Sequence, residues 1–290
     1  MTARRWVTWL VVAGLAALGL VAAVDAIRGE ERVRESDARA PAVPGLADQP
    51  ELAIRQLREA GVTGVLTYAD DECRLHAVSL PNLELVRAPS FEMCRPATST
   101  GGLGVVAGEV VWAGLGYGAV QTVLSQEELS RALRTGLGIP ADADAGFRAV
   151  QAASLGGGRY VVLADSTYEP RERVLAGLDG SRVRFVHPRW WVGGARAIRP
   201  SPRGRYYALL GSEPLGAKIY TRAGRAVGIA EGIPAPRAVA WSPDDRWTAV
   251  ATRGSIYVFA SARPQELVIR VPLTVRDLDW TGAATAVRSP

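Results

Sequence analysis

Residues 238–259, AVAWSPDDRWTAVATRGSIYVF, decide how the rest of the chain is read. Residues 238–241 are an apolar run ending on Trp241, and Ser242-Pro243-Asp244-Asp245 is turn chemistry with proline at its second position. Residues 246–251 are again apolar, β-branched and aromatic, and Arg253-Gly254 turns the chain into a third such run at 255–259. Three short strands joined by two punctuated turns predict one unit of a repeated sheet.

The unit recurs. Ser201-Pro202-Arg203-Gly204 precedes Ser242-Pro243-Asp244-Asp245 by about 41 residues, a period suited to four-stranded blades. The strands at Arg159-Tyr160-Val161-Val162-Leu163, Arg205-Tyr206-Tyr207-Ala208-Leu209 and Arg246-Trp247-Thr248-Ala249-Val250 share an arginine, then an aromatic, then apolar residues. Gly64-Val65-Leu66-Thr67-Tyr68 and Gly108-Glu109-Val110-Val111-Trp112 are glycine-led versions of the same run. On these residues the chain resembles the repeat unit of WD-repeat and TolB-type β-propellers, where an inner strand enters a Ser-Pro-Asp turn and two further strands follow. The resemblance implies an all-β, β-propeller-like fold of about five four-stranded blades, and says little about activity.

Laying the repeat along the chain exposes two deficits. The first blade, residues 62–89, offers strands at 64–68, 73–80 and 83–88 and is one strand short. Residues 275–280 have the character of an inner strand, Trp280 following Trp241 by about 39 residues, yet no blade follows them. Both are resolved if the C-terminal strand completes the first blade and closes the ring. The second unit is irregular, with an inner strand expected at 91–94 and others at 109–113 and 120–124. A capping box, Ser125-Gln126-Glu127-Glu128, then opens a helix that should stop at Gly136, near where a fourth strand would stand.

Ahead of the repeats, residues 6–24 form an apolar run of about 19 residues, long enough to cross a hydrocarbon core. Arg4 and Arg5 precede it, so the positive-inside tendency predicts a cytoplasmic stub at 1–5 and a single transmembrane signal anchor at 6–27. An extracytoplasmic linker at 28–50 and a propeller-like domain at 51–290 complete this organisation. The alternatives are a signal peptide cleaved near Ala23 or Ala26 and a twin-arginine signal. The linker ends in Ala40-Pro41-Ala42-Val43-Pro44-Gly45, and a short helix follows, with Asp48 as cap, Pro50 in its first turn and Gly61 as stop.

The net charge of +5 does not point to nucleic acid. Lys218 is the sole lysine, the arginines are spread among 29 acidic residues, and no nucleic-acid recognition motif is present. Cys73 and Cys94 both follow the apolar run, so they are expected to form a disulfide whose loop closure contributes roughly 3 kcal/mol.

Motifs of chemistry are mostly dismissed by context. Gly102-Leu103-Gly104-Val105-Val106-Ala107 matches a dinucleotide fingerprint as a string, but strand-like residues follow where the fingerprint needs a helix to hold pyrophosphate. Only His76 and His187 are available for a catalytic triad or metal, and Asp142 and Asp144 lack the remaining positions of a calcium loop. No catalytic residue, metal or cofactor is therefore assigned.

One binding face remains. In a propeller, the loops between second and third strands share a face with the connections between blades. That face would carry Asp70, Asp71, Glu72, Glu172, Glu213 and the segment His187-Pro188-Arg189-Trp190-Trp191, whose arginine and tryptophans are residue types that dominate binding hot spots. The expected function is binding or scaffolding of an envelope protein or peptide, without chemistry of its own. The alternatives are a cell-envelope hydrolase or lyase using acidic residues at the channel, and a sensor working through a membrane partner.

Overall fold

The computed structural model describes residues 43–47, 50–88, 94, 99–100, 103–113, 120–140, 143, 145–167, 173–187, 192, 194–211, 216–229, 233 and 235–282. Residues 1–42, which include the proposed anchor at 6–27, lie outside this set. Among the described residues no helix is long and apolar enough to cross a membrane.

The strands form antiparallel blades. The quoted stretch gives β16 (Ala238–Trp241), β17 (Trp247–Ala251) and β18 (Ile256–Ala260), and β19 (Val268–Val271) completes a four-stranded sheet in sequence order. One period earlier, β12 (Ala195–Pro200), β13 (Tyr206–Gly211), β14 (Ala217–Thr221) and β15 (Ala226–Ile229) repeat that order. An eight-stranded sheet comprises two further blades, joined by one parallel pairing of Thr100 with Ala153. Its later half is β8 (Phe147–Gly156), β9 (Arg159–Ser166), β10 (Arg173–Asp179) and β11 (Arg182–His187). Second and third strands are buried on both faces, as in Arg159–Ser166, because a blade is covered by a neighbour on either side.

The first blade closes the ring as the strand count requires. β1 (Gly64–Ala69), β2 (Leu75–Leu80) and β3 (Glu84–Val86) take as inner strand β20 (Asp277–Thr281), which pairs with β1 in the register Leu66 to Trp280 and Tyr68 to Leu278. Leu278 and Trp280 are buried, and the Trp280 indole donates to Thr63 O at 3.3 Å. The strand reaches Thr281, one residue beyond the stretch read from sequence, and the Thr281 hydroxyl donates to Val65 O. Five four-stranded sheets with this closure make a β-propeller-like fold.

The second blade departs from expectation. Its inner strand is β4 (Ser99–Thr100), followed by β5 (Leu103–Val106), β6 (Glu109–Ala113) and β7 (Val120–Leu124). Cys94 is outside any strand, and 91–93 lie outside the described residues. The glycines around Leu103 disguised a strand that pairs with β6 over four positions, from Leu103–Trp112 to Val106–Glu109. The helix is therefore an addition to the fourth strand and not its replacement.

Two helices pack on the blades. α1 (Glu51–Glu59) buries Ala53 and Leu57 in the apolar cluster of the first and last blades and lies against β19, covering an outer edge. Its N-cap is Pro50, with no side-chain capping bond, and Asp48 is outside the described residues. α2 (Gln126–Leu137) has the expected capping box, Ser125 Oγ accepting from Glu128 N and the Glu128 carboxylate from Ser125 N. It runs through Gly136 and stops at Gly138, which adopts the left-handed conformation. Gly136 serves close approach, since a methyl there would meet Val183 and Val186 of β11 at 3.1 Å.

A strap from the N-terminal side joins the closure. Leu46 bridges Leu273, Ala47 N donates to Pro272 O, Thr274 N donates to Gly45 O, and the Tyr68 hydroxyl donates to Pro44 O at 2.7 Å.

Candidate functional site

The β1–β2 loop, Asp70 to Arg74, lies between the second and third strands of its blade, on the face singled out from sequence. Asp70 builds this loop from within. Its carboxylate accepts from Glu72 N, Arg74 N and Arg74 Nε, and Oδ2 lies 3.0 Å from His76 Nε2. Burial pushes the Asp70 carboxyl up, but the hydrogen bonds of His76 and Arg74 outweigh it and hold the pKa down at about 2. The Cys73–Cys94 disulfide ties the loop to the connection entering the second blade, with Cα atoms 6.0 Å apart. Cys94 N donates to Asp277 Oδ2 at 3.2 Å, so the inner strand of the closing blade holds the same connection.

With Asp70 occupied internally, Asp71 is the carboxylate presented outward. It lines a cleft of about 600 Å³ with Arg196, Arg237 and Arg276. Arg237 donates to Asp71 Oδ1 at 3.2 Å, and Arg276 donates to the Asp71 carbonyl at 3.3 Å. Arg196 is exposed and makes no hydrogen bond or ion pair with the described residues. Ala197, Leu210 and Pro236 supply an apolar lining. Farther along β12, Arg199 is half-buried; burial pulls its pKa down, and the charge of Asp277, two blades away around the ring, opposes that shift.

The three cleft arginines were missed in the sequence, although their spacing carried a signal. Arg237 follows Arg196 by about 41 residues and Arg276 follows Arg237 by about 39, the same intervals that separate Ser201 from Ser242 and Trp241 from Trp280. Each sits at the entry to an inner strand, in β12, before β16 and before β20. One arginine per blade at a fixed repeat position delivers three guanidiniums from consecutive blades to one mouth.

Of the residues expected on this face, Asp71 lines the cleft and Asp70 supports it. Glu72 accepts from Arg74 at 2.9 Å within the loop. His187 is elsewhere: it lies between blades, 2.8 Å from Gly224 O, with its ring 5.2 Å from Phe185 and 5.5 Å from Tyr220. None of these contacts involves Asp70 or Asp71. Arg189, Trp190, Trp191, Glu172 and Glu213 lie outside the described residues, as do Asp142 and Asp144. Among the described residues no group of three or more His, Cys, Asp or Glu side chains is placed to hold a metal ion.

No protein-family model matches the chain, and no curated protein sequence matches it. Among solved structures, a chain in the crystal structure of a nidogen/laminin complex is similar over 76% of this chain and 85% of its own length, at 12% identity and a TM-score of 0.40. Hydrazine synthase of Kuenenia stuttgartiensis is similar over 74% of each chain, at 11% identity and a TM-score of 0.35. The blade count and the closure rest on the strand pairing itself, and the class so defined is a five-bladed, propeller-like domain.

Proposed function

We propose that the chain is a protein- or peptide-binding module of the cell envelope, anchored in the membrane by residues 6–27 with the propeller-like domain outside. The observation that carries the binding reading is the mouth, where side chains from three consecutive blades converge on one cleft and the opposing carboxylate is set on a covalently braced loop. Pre-set polar groups around a concave apolar lining are the usual makings of a recognition site. The disulfide supports the extracytoplasmic reading, because such bonds persist in oxidising compartments.

Two measurements test this. A reporter active only outside the cytoplasm, fused after Pro290, should be active, and the protein should stay with membranes after a high-salt wash. Release as a soluble protein with a new N-terminus near Ala23 or Ala26 would refute the anchor. Crosslinking in intact cells followed by mass spectrometry should return envelope proteins joined to the domain, and their absence would refute the binding role.

A further inference from the structure

The cleft at Asp71 has a charge pattern that selects its occupant. Among the described residues three guanidiniums face one carboxylate, and of the three only Arg237 has a carboxylate partner there. Arg196 has no partner among the described residues, and Arg276 is engaged by a backbone carbonyl, which leaves its charge unbalanced. Guanidinium forks are suited to carboxylates, and Arg237 already donates one hydrogen bond to the Asp71 carboxylate within the cleft.

We propose that this cleft binds an acidic peptide segment, with Arg196 and Arg276 receiving Asp or Glu carboxylates and the floor of Ala197, Leu210 and Pro236 receiving an adjacent aliphatic side chain. The inference rests on the peptide-binding reading above and narrows it to a chemical class. A volume of about 600 Å³ falls within the range of ligand pockets. The apolar floor favours a peptide over nucleic acid, whose binding would call for stacking aromatics in the cleft or a basic track beyond it. The described lining has no aromatic residue.

The test uses the full purified chain and a fluorescein-labelled peptide in which Asp and Glu alternate with Leu, beside the same peptide carrying Asn and Gln. The acidic probe should bind, weaken with added salt, and bind about ten-fold more tightly than the amide probe. Arg196→Gln should weaken it about ten-fold without moving the melting temperature, since Arg196 is exposed and has no partner among the described residues, and Arg276→Gln should act in the same direction. Equal binding of the two probes, or unchanged binding by the Arg196→Gln protein, overturns the proposal. Displacement of the acidic probe at lower concentration by a single-stranded oligonucleotide or by anionic-lipid vesicles overturns the assignment to a peptide. A photo-crosslinking residue at Ala235, in the cleft lining, and another at Val268, on the exposed outer strand, separate this inference from the broader one. Proteins captured in cells at 268 and not at 235 overturn the cleft alone. Capture at neither position overturns both, and capture at 235 that is lost with Arg196→Gln agrees with both.

Discussion

Ser201 Oγ donates to Asp245 Oδ2 at 2.8 Å, joining the Ser-Pro turn of the fourth blade to that of the fifth. The same carboxylate accepts from Arg203 N at 3.0 Å and Arg205 N at 3.4 Å, and Asp245 is only 2% exposed. The two turns are built alike, with Gly204 N donating to Ser201 O and Asp245 N to Ser242 O. Their fourth residues both take positive φ, 63° at each. Glycine does this without strain, and Gly204 must also be glycine because a Cβ would strike the Leu155 carbonyl of the preceding blade. Asp245 accepts the strained conformation at a position where its side chain grips the neighbouring blade.

That grip should be measurable by a double-mutant cycle. Asp245→Asn and Ser201→Ala are each expected to destabilise by about 1–3 kcal/mol in urea unfolding, with a coupling of about 1 kcal/mol between them. Additivity within a few tenths of a kcal/mol would mean the turns are neighbours without being linked.

The stacked pair Tyr207 and Tyr220, with ring centroids 5.2 Å apart, makes the opposite prediction. Both hydroxyls are buried without a hydrogen-bond partner among the described residues, and burial raises both pKa values, that of Tyr220 to about 12. A buried unsatisfied hydroxyl costs about 1–3 kcal/mol, so Tyr207→Phe and Tyr220→Phe should leave the melting temperature unchanged or raise it. A loss above about 1 kcal/mol would show that the hydroxyls are satisfied in solution.

Closure of the ring should govern whether the domain stays soluble. A chain ending at Thr274 lacks β20, exposes the edge of β1 and loses the burial of Leu278 and Trp280; it should aggregate. Trp280→Ala alone should cost about 3–5 kcal/mol while leaving the strand pairing in place. A truncated chain that is monomeric and melts like the full one would show that β20 closes nothing.

Acid should loosen the β1–β2 loop through Asp70. Its pKa is about 2 in the fold against an ordinary 3.8, so the folded state favours the ionised form. The stability this lends is fully present above the ordinary value and is lost as pH falls from about 4 toward 2. Asp70→Asn should flatten the drop in melting temperature over that interval, and an unchanged acid limb would assign it to other carboxylates.

What was legible in the sequence was whatever the repeat made redundant. The turns at Ser201 and Ser242, the strands after them and the closing strand, read at 275–280 and found at 277–281, all followed from one period and a count of missing strands. The strand at 103–106 was not assigned from sequence, where Gly102 and Gly104 interrupt its apolar run and matched a fingerprint string, and its identity comes from pairing with β6. Gly136 looked like a helix stop because local propensity cannot register the close approach of β11. The cleft was hidden for a different reason. Arginine is common throughout this chain, so single arginines carried no weight, and only their recurrence at Arg196, Arg237 and Arg276 set them apart.

The strap at residues 43–47 gives the domain a mechanical polarity. The chain enters by hydrogen bonds to Pro272 and Thr274, immediately before β20, and Tyr68 of the partner strand β1 holds Pro44. Tension applied from the N-terminal side is therefore delivered to the seam between the last blade and the first, where β20 and β1 are held by their ladder and the Trp280 contacts. The Cys73–Cys94 bond braces the first blade to the start of the second and leaves that seam uncrossed. Under load the ring would open where its two ends meet, and the other blades would follow.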